Sequence, residues 1–436
     1  MSSNFDTGNI ELEKISGNRV DVRIRKDVFT KFTDNKAHSQ WFHFKISNLK
    51  SVQDQDVIVA ITNAGECSYP SAFEGYWVCA SSSPSYKGDW FRLETKFVER
   101  KSLEFKIPSG SPNTLWIAYF TPYTIQDHQT LIGRMQTNPL VRSCFSLGHT
   151  LQGRDMDLIQ IGNGKNKVWL IGRQHPGETQ PSFWMEGVLD RLTSKSDPVA
   201  SKLRTSCTFY VVPLMCPDGA ALGHLRTNAS GANLNREWDS LKDKDTGKIR
   251  YEAPTLERSP EVYYVLKEMD RIGVDMALDV HGDEELPHVF LAGGQGAKVW
   301  GPRLEMLFSA LAINYSKSCP DFGQLEFGYG NDASRMTRYN VASSQLTQRF
   351  DCLAATLEMP YKDSFAWPDP ARGFTACRCN RLGAAFLDAL APLIPILRVS
   401  KEKVKEATGD MFVKGTPAFA KEGYKAPVHK ELKWRE

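Results

Sequence analysis

The sequence has no uninterrupted apolar run of about 20 residues, so it predicts no membrane-spanning helix. It has almost no surplus of one charge. Lys and Arg number 54 against 51 Asp and Glu, a formal net charge of +3. A dedicated nucleic-acid binder normally carries a basic surplus, so that class is disfavoured. The first residues, Met-Ser-Ser-Asn-Phe-Asp, lack both a basic n-region and an apolar h-region, and no secretory signal is expected. The nine cysteines are an odd number, scattered from Cys67 to Cys379. In a chain this large they read as reduced thiols of a reducing, cytoplasmic compartment rather than as a disulfide framework. Cys377 and Cys379 have no second pair near them, which a zinc knuckle would need. There is no internal repeat and no low-complexity segment.

What is present is apolar material. Hydrophobic residues make up 41% of 436 and aromatics 11%, enough for a large buried core, which excludes wholesale disorder. The length fits two or three domains, or one large domain and a smaller one.

Over about the first 125 residues the pattern is β. Val20, Val22 and Ile24 alternate with Asp21, Arg23 and Arg25. Phe42, Phe44 and Ile46 alternate with His43 and Lys45. Short apolar runs at 57–61 and 116–120 end at turn residues. These predict an antiparallel β-sandwich or barrel over 1–130. From about residue 135 the pattern changes to apolar runs of buried parallel strands at 168–171, 209–212, 276–280 and 353–357. Helical spacing lies between them at 183–192 and 260–272, with Pro181 and Pro260 suited to first turns. Alternating strands and helices predict an α/β domain with a mostly parallel sheet flanked by helices, over 131–398. From Lys401 onward nine basic residues face six acidic ones, and 399–436 reads as a basic, solvated extension.

The chemistry follows the strands, where α/β sheets bind ligands. The first run leads into His175-Pro-Gly-Glu178. The third leads into His281-Gly-Asp, and the fourth into Glu358-Met-Pro. The Pro-Gly turn can aim His175 and Glu178 at one point, with His281 arriving from another strand. Two His and one Glu with an open fourth position form the ligand set of a catalytic zinc hydrolase. The open position would hold a water that the metal makes acidic. Glu358, at the end of an apolar strand, suits the base that takes its proton. Taken singly, each residue also has a plain structural reading: a hydrogen-bonded His, a chance His-x-x-Glu, a capping Glu. Their joint placement favours the metal.

After the second strand come Pro217-Asp-Gly219, Arg226 and Asn233-Leu-Asn235-Arg236. Arg226 could stabilise charge on an attacked carbonyl. Asn235 and Arg236 could hold a substrate carboxylate through a guanidinium fork, or form an ordinary surface loop. A fixed cation for a free carboxylate would restrict a peptidase to the last residue.

Together these motifs resemble the zinc metallocarboxypeptidases of the carboxypeptidase A type. Tyr119-Phe-Thr-Pro-Tyr123, Leu147-Gly-His-Thr-Leu-Gln-Gly-Arg154 and His175-Pro-Gly-Glu-Thr179 are similar to the cytosolic carboxypeptidase branch. Asp279-Val-His-Gly-Asp-Glu-Glu285 and Leu357-Glu-Met-Pro-Tyr-Lys-Asp363 look most like its compact bacterial members. The resemblance spans about residues 1–395. It implies a carboxypeptidase-like mixed sheet, one zinc ion on His175, Glu178 and His281, and Glu358 as general base and acid. It also implies Arg226 on the scissile carbonyl, and Asn235 with Arg236 on the terminal carboxylate. This branch removes acidic C-terminal residues, including glutamates added to proteins such as tubulin, so a basic residue is expected in the specificity pocket. Arg335 and Arg338 are both candidates. Tyr329 and Tyr339 are both candidates for the family's substrate-capping tyrosine. No nucleic-acid or membrane partner is expected. An alternative is a zinc amidohydrolase of the same fold acting on N-acyl amino acids or cell-wall peptides. A scaffold without chemistry would lack a ligand or the base, and none is missing.

Overall fold

The computed structural model describes residues 1–29, 31–32, 37–52, 55–242, 249–323, 329 and 338–409. The period-2 runs of the N-terminal part form two sheets. The first contains β1 (Glu11–Ser16), β2 (Arg19–Arg23), β4 (Val57–Ile61), β7 (Thr95–Val98) and β8 (Ser102–Ile107), in the order β1-β2-β4-β8-β7. The second contains β3 (His43–Ser47), β5 (Val78–Ser81), β6 (Phe91–Leu93) and β9 (Thr114–Ala118), in the order β3-β9-β5-β6. On β2 the alternation is literal: Val20 and Val22 are buried, while Arg19, Asp21 and Arg23 are partly exposed. Neighbouring strands pair antiparallel, as expected, except β2 with β4. Between those two the chain crosses to the other sheet through β3, and a long crossover lets a strand re-enter in the same direction.

Helix α1 (Ile125–Thr137) starts at a capping box, in which the Thr124 hydroxyl and the Asp127 carboxylate satisfy each other's backbone N–H. The second sheet system then begins. Its strands are β10 (Val141–His149), β11 (Asp155–Gly162), β12 (Asn166–Gly172), β13 (Cys207–Val212), β16 (Met276–Asp283), β17 (Phe290–Gly293) and β18 (Leu353–Pro360). A short ribbon, β14 (Leu241–Lys242) with β15 (Ile249–Tyr251), lies apart from it. The sheet order is β10-β11-β13-β12-β16-β18-β17. The four runs read as buried parallel strands occupy its centre: β13, β12, β16 and β18 pair in parallel. The outer pairings, β10 with β11, β11 with β13 and β17 with β18, are antiparallel, which makes the sheet mixed.

Burial on both faces explains the unbroken apolar runs. Val168 and Leu170 join one core cluster, with residues of α2 (Gln180–Leu192), α6 (Pro302–Ser318) and α8 (Ala376–Leu390). Trp169 and Ile171 join a second, with α5 (Pro260–Ile272) and α7 (Ala342–Phe350). α3 (Pro198–Ser206) and α4 (Pro217–Leu222) flank β13 in the chain. The segment Ala376–Ile396 is apolar and long enough to cross a membrane by composition. Its apolar face is spent inside the protein, where α8 packs on α2. Gly187 and Gly383 permit that approach. A Cβ on the first would meet Asn380 O at 1.9 Å, and on the second Trp184 O at 2.0 Å.

The two parts of the chain share one core. Tyr119, just beyond β9, stacks on Tyr361, just beyond β18, with ring centroids 4.5 Å apart. The expected C-terminal extension begins with α9 (Lys401–Thr408). Its remainder, 410–436, lies outside the described residues.

Candidate active site

Parallel strands that run side by side end at one edge. β12 ends at Gly172, and the chain turns at once. Arg173 takes a left-handed conformation, φ 57°, which a non-glycine residue adopts only when its surroundings impose it. Here the fully buried guanidinium imposes it. Arg173 donates to the carbonyls of Pro176 at 3.0 Å and Tyr123 at 2.8 Å. Burial lowers its pKa to about 10, so it stays charged. The turn it braces carries His175 and Glu178. His281 lies near the end of β16, in register with Glu358 on β18.

His175, Glu178 and His281 are all buried, and one ligand atom from each lies within 4.8 Å of the others. His175 Nδ1 is 2.5 Å from Glu178 Oε1, and His281 Nδ1 is 2.9 Å from Glu178 Oε2. The far nitrogens settle the tautomers. His175 Nε2 is 3.0 Å from Asn233 Oδ1, an oxygen that also accepts the Asn235 N–H. His281 Nε2 is 2.8 Å from Asp279 Oδ2. Both partners are acceptors, so both Nε2 atoms carry hydrogen and a neutral ring presents a bare Nδ1 lone pair to the centre. Two lone pairs and a carboxylate therefore converge, an arrangement satisfied by a divalent cation between them. Protonation is the other remedy. Burial opposes charge on His281, but Asp279 and Glu178 outweigh it and hold its pKa well above the ordinary value. Burial and Arg226 take His175 down to about 3. The donor set fits zinc.

One pocket gathers most of the other predicted residues: Arg226, Asn235, Arg236, Arg338 and Glu358, beside the three candidate ligands. Burial raises Glu358 well above the usual carboxylate range. The Tyr329 hydroxyl reaches both Glu358 Oε1, at 2.9 Å, and Asp283 Oδ2, at 2.7 Å. Tyr339 instead reaches the Gly296 carbonyl at 3.4 Å, so of the two tyrosines Tyr329 stands at the site. Asn235 uses its side-chain oxygen to accept the Ala342 N–H at the start of α7. That orientation leaves its amide nitrogen on the His281 side, 3.3 Å from Nε2. Arg236 Nη1 donates to the Asn235 carbonyl at 2.7 Å. Arg335 lies outside the described residues.

Sequence reasoning missed five contributors: Asp279, Gln174, Trp238, Asn233 and Tyr69. Asp279 holds the His281 ring, and a signal existed: residues two apart on a strand share a face. Gln174 Nε2 donates to the same Asp279 oxygen at 2.7 Å, and Trp238 Nε1 donates to Gln174 at 2.8 Å. Asn233 does the equivalent for His175. Tyr69, from the N-terminal part, lines the pocket with its ring 5.8 Å from the Arg226 guanidinium. No local pattern announces it.

Comparison with known proteins gives a consistent result. A family model described as the cytosolic carboxypeptidase N-terminal domain matches residues 1–120, and one described as zinc carboxypeptidase matches 128–373. An uncharacterised protein of Zymomonas mobilis is 40% identical over 92% of this chain and 98% of its own length. Cytosolic carboxypeptidase 6 of Caenorhabditis elegans is 25% identical over 89% of this chain and 86% of its own. A metallo-carboxypeptidase from Pseudomonas aeruginosa, solved with (2-guanidinoethylmercapto)succinic acid, superposes with a TM-score of 0.81. It is 35% identical and covers 91% of this chain and 99% of its own.

Proposed function

We propose, from the premise that this chain belongs to the zinc carboxypeptidase family and is a peptide hydrolase, that it removes acidic C-terminal residues, glutamate above all. The observation that carries the preference is a pair of guanidiniums, Arg236 and Arg338, lining the pocket of the His-Glu-His group. Two guanidiniums match two carboxylates: one on the chain end, one on the side chain of the last residue.

A zinc ion on His175, Glu178 and His281 would supply Lewis acidity and an acidified water. The chain's own groups do the rest. Glu358 takes the proton of the attacking water and returns it to the leaving amine. Arg226 faces the carbonyl oxygen as charge builds on it. Asn235 and Arg236 hold the terminal carboxylate, and Tyr329 closes over the bound residue next to Glu358.

The relatives named cytosolic carboxypeptidase support a cytoplasmic setting, and glutamylated protein chains such as tubulin tails are the substrates an acidic preference would extend to. The test is product identification on peptides ending in Glu, Asp, Lys and Phe, with metal analysis of the same sample. Fastest release of Glu with about one zinc per chain is expected. Equal release from all four ends would sink the acidic preference. Faster turnover of acyl-glutamate than of any peptide would favour an amidohydrolase.

A further inference from the structure

Arg226 sits on a loop of the catalytic part, but much of that loop's backbone is held by the N-terminal part. Asp27 is 2% exposed. Its Oδ1 accepts the Leu225 N–H at 2.8 Å. Its Oδ2 accepts the N–H of Arg226 and of Thr227, each at 3.0 Å, and the Thr227 hydroxyl at 2.9 Å. Around this clamp the same domain adds further bonds. Val28 N–H donates to His224 Nε2 at 3.2 Å, Asn9 Nδ2 to the Gly223 carbonyl at 2.9 Å, and Thr7 N–H to the Ala221 carbonyl at 3.1 Å.

Successive backbone N–H groups that converge on one point form an anion-binding concavity. Here the anion is a carboxylate of the protein itself, and charge-assisted bonds are about twice as strong as neutral ones. The clamp fixes the backbone on both sides of the Arg226 Cα, and so where its side chain starts. From the opposite side, Gly177 of the metal turn donates its N–H to the Leu225 carbonyl at 2.9 Å. A Cβ at Gly177 would stand 2.9 Å from that oxygen and 3.0 Å from Leu225 Cα. The Arg226 loop is therefore pinched between Asp27 and the turn bearing His175 and Glu178. Tyr69, also from the N-terminal part, presents its ring to the guanidinium.

We infer that Asp27 is a positioning residue for Arg226, and that through it the N-terminal domain completes the catalytic site. This rests on the reading above, in which Arg226 acts on the scissile carbonyl. Asp27 touches no substrate. It sets the distance between a fixed cation and the His-Glu-His group, and a misplacement of about 1 Å can cost a hundredfold in rate.

The experiment is a double-mutant cycle on the zinc-loaded full chain with a Glu-ended peptide. Asp27→Asn keeps the shape but turns one acceptor into a donor facing N–H groups. It should lower kcat by about 10- to 100-fold, with KM and zinc content little changed. In the Arg226→Ala background the same change should cost nothing further, because the group it positions is gone. Multiplying losses, or a fall in zinc content that accounts for the rate, overturns the inference. Should Asp27→Asn fail to fold, Thr227→Val removes one of the four bonds and should show the same dependence on Arg226 at smaller amplitude. Arg226→Ala alone reports on the underlying reading: an unchanged kcat there removes the role of Arg226 itself.

Discussion

Asp279 and His281 stand two residues apart on one strand, and the Asp279 carboxylate lies 2.8 Å from His281 Nε2. Successive strand residues face opposite sides of a sheet, so this spacing puts acid and imidazole on one side. The bond holds the ring with Nδ1 toward Glu178 and makes the ring a better donor to a cation. Asp279→Asn should weaken zinc affinity by about 10- to 100-fold. Competition with a chelator of known affinity measures it. Unaltered affinity would reduce Asp279 to a packing residue.

Glu358→Gln separates chemistry from metal binding. Among the described residues its buried Oε2 has no hydrogen-bond partner, the disposition of a group waiting for a substrate-side proton. The amide cannot accept that proton. Turnover should fall by about a hundred- to ten-thousand-fold, with zinc content and peptide affinity retained. Loss of zinc in parallel with activity would assign Glu358 to the metal instead.

Much of this site was legible because topology does the gathering. Strands buried on both faces leave unbroken apolar runs, and the runs ending before His175, His281 and Glu358 deliver their side chains to one edge. The tyrosine was not legible. Tyr329 reaches Glu358 from 29 residues away in the chain, and no spacing rule ties that position to a strand end. Asp27 was least legible of all: its Thr227 partner is 200 residues away, and an isolated Asp between two β runs looks like any turn residue. Periodicity encodes which face a residue takes, not which distant backbone its side chain will cap.

Lys362 gives a pH test of the ground beneath the site. It is 7% exposed. Burial lowers its pKa from 10.5 to about 8, against the pull of Asp283, Glu285 and Glu74. Between those values the unfolded chain holds a proton that the folded chain has released, so stability rises with pH across that window. Below pH 8 both states are charged and the full burial cost is present. Lys362→Met should therefore stabilise the protein near pH 7, by at most about 3 kcal/mol. That advantage should shrink as pH climbs through 8 toward 10.5. Denaturant unfolding of both proteins across this range reads it, and a gap independent of pH would contradict the assignment.

The acidic preference has the sharpest test, because Arg236 and Arg338 are assigned to different carboxylates. Every substrate has a terminal carboxylate, so Arg236→Ala should lower kcat/KM by a similar factor for peptides ending in Glu, Asp and Phe. Only acidic residues have a second one. Arg338→Ala should therefore cut kcat/KM for Glu ends by about 10²- to 10³-fold, the cost of stripping one partner from a buried charge pair, and leave Phe ends near their starting rate. Arg338→Glu should go further and favour Lys ends, since the pocket would then repel the old side chain and attract the new one. If Arg338→Ala instead slows Glu and Phe ends alike, Arg338 belongs to the common machinery, and the source of any glutamate preference must be sought elsewhere in the pocket.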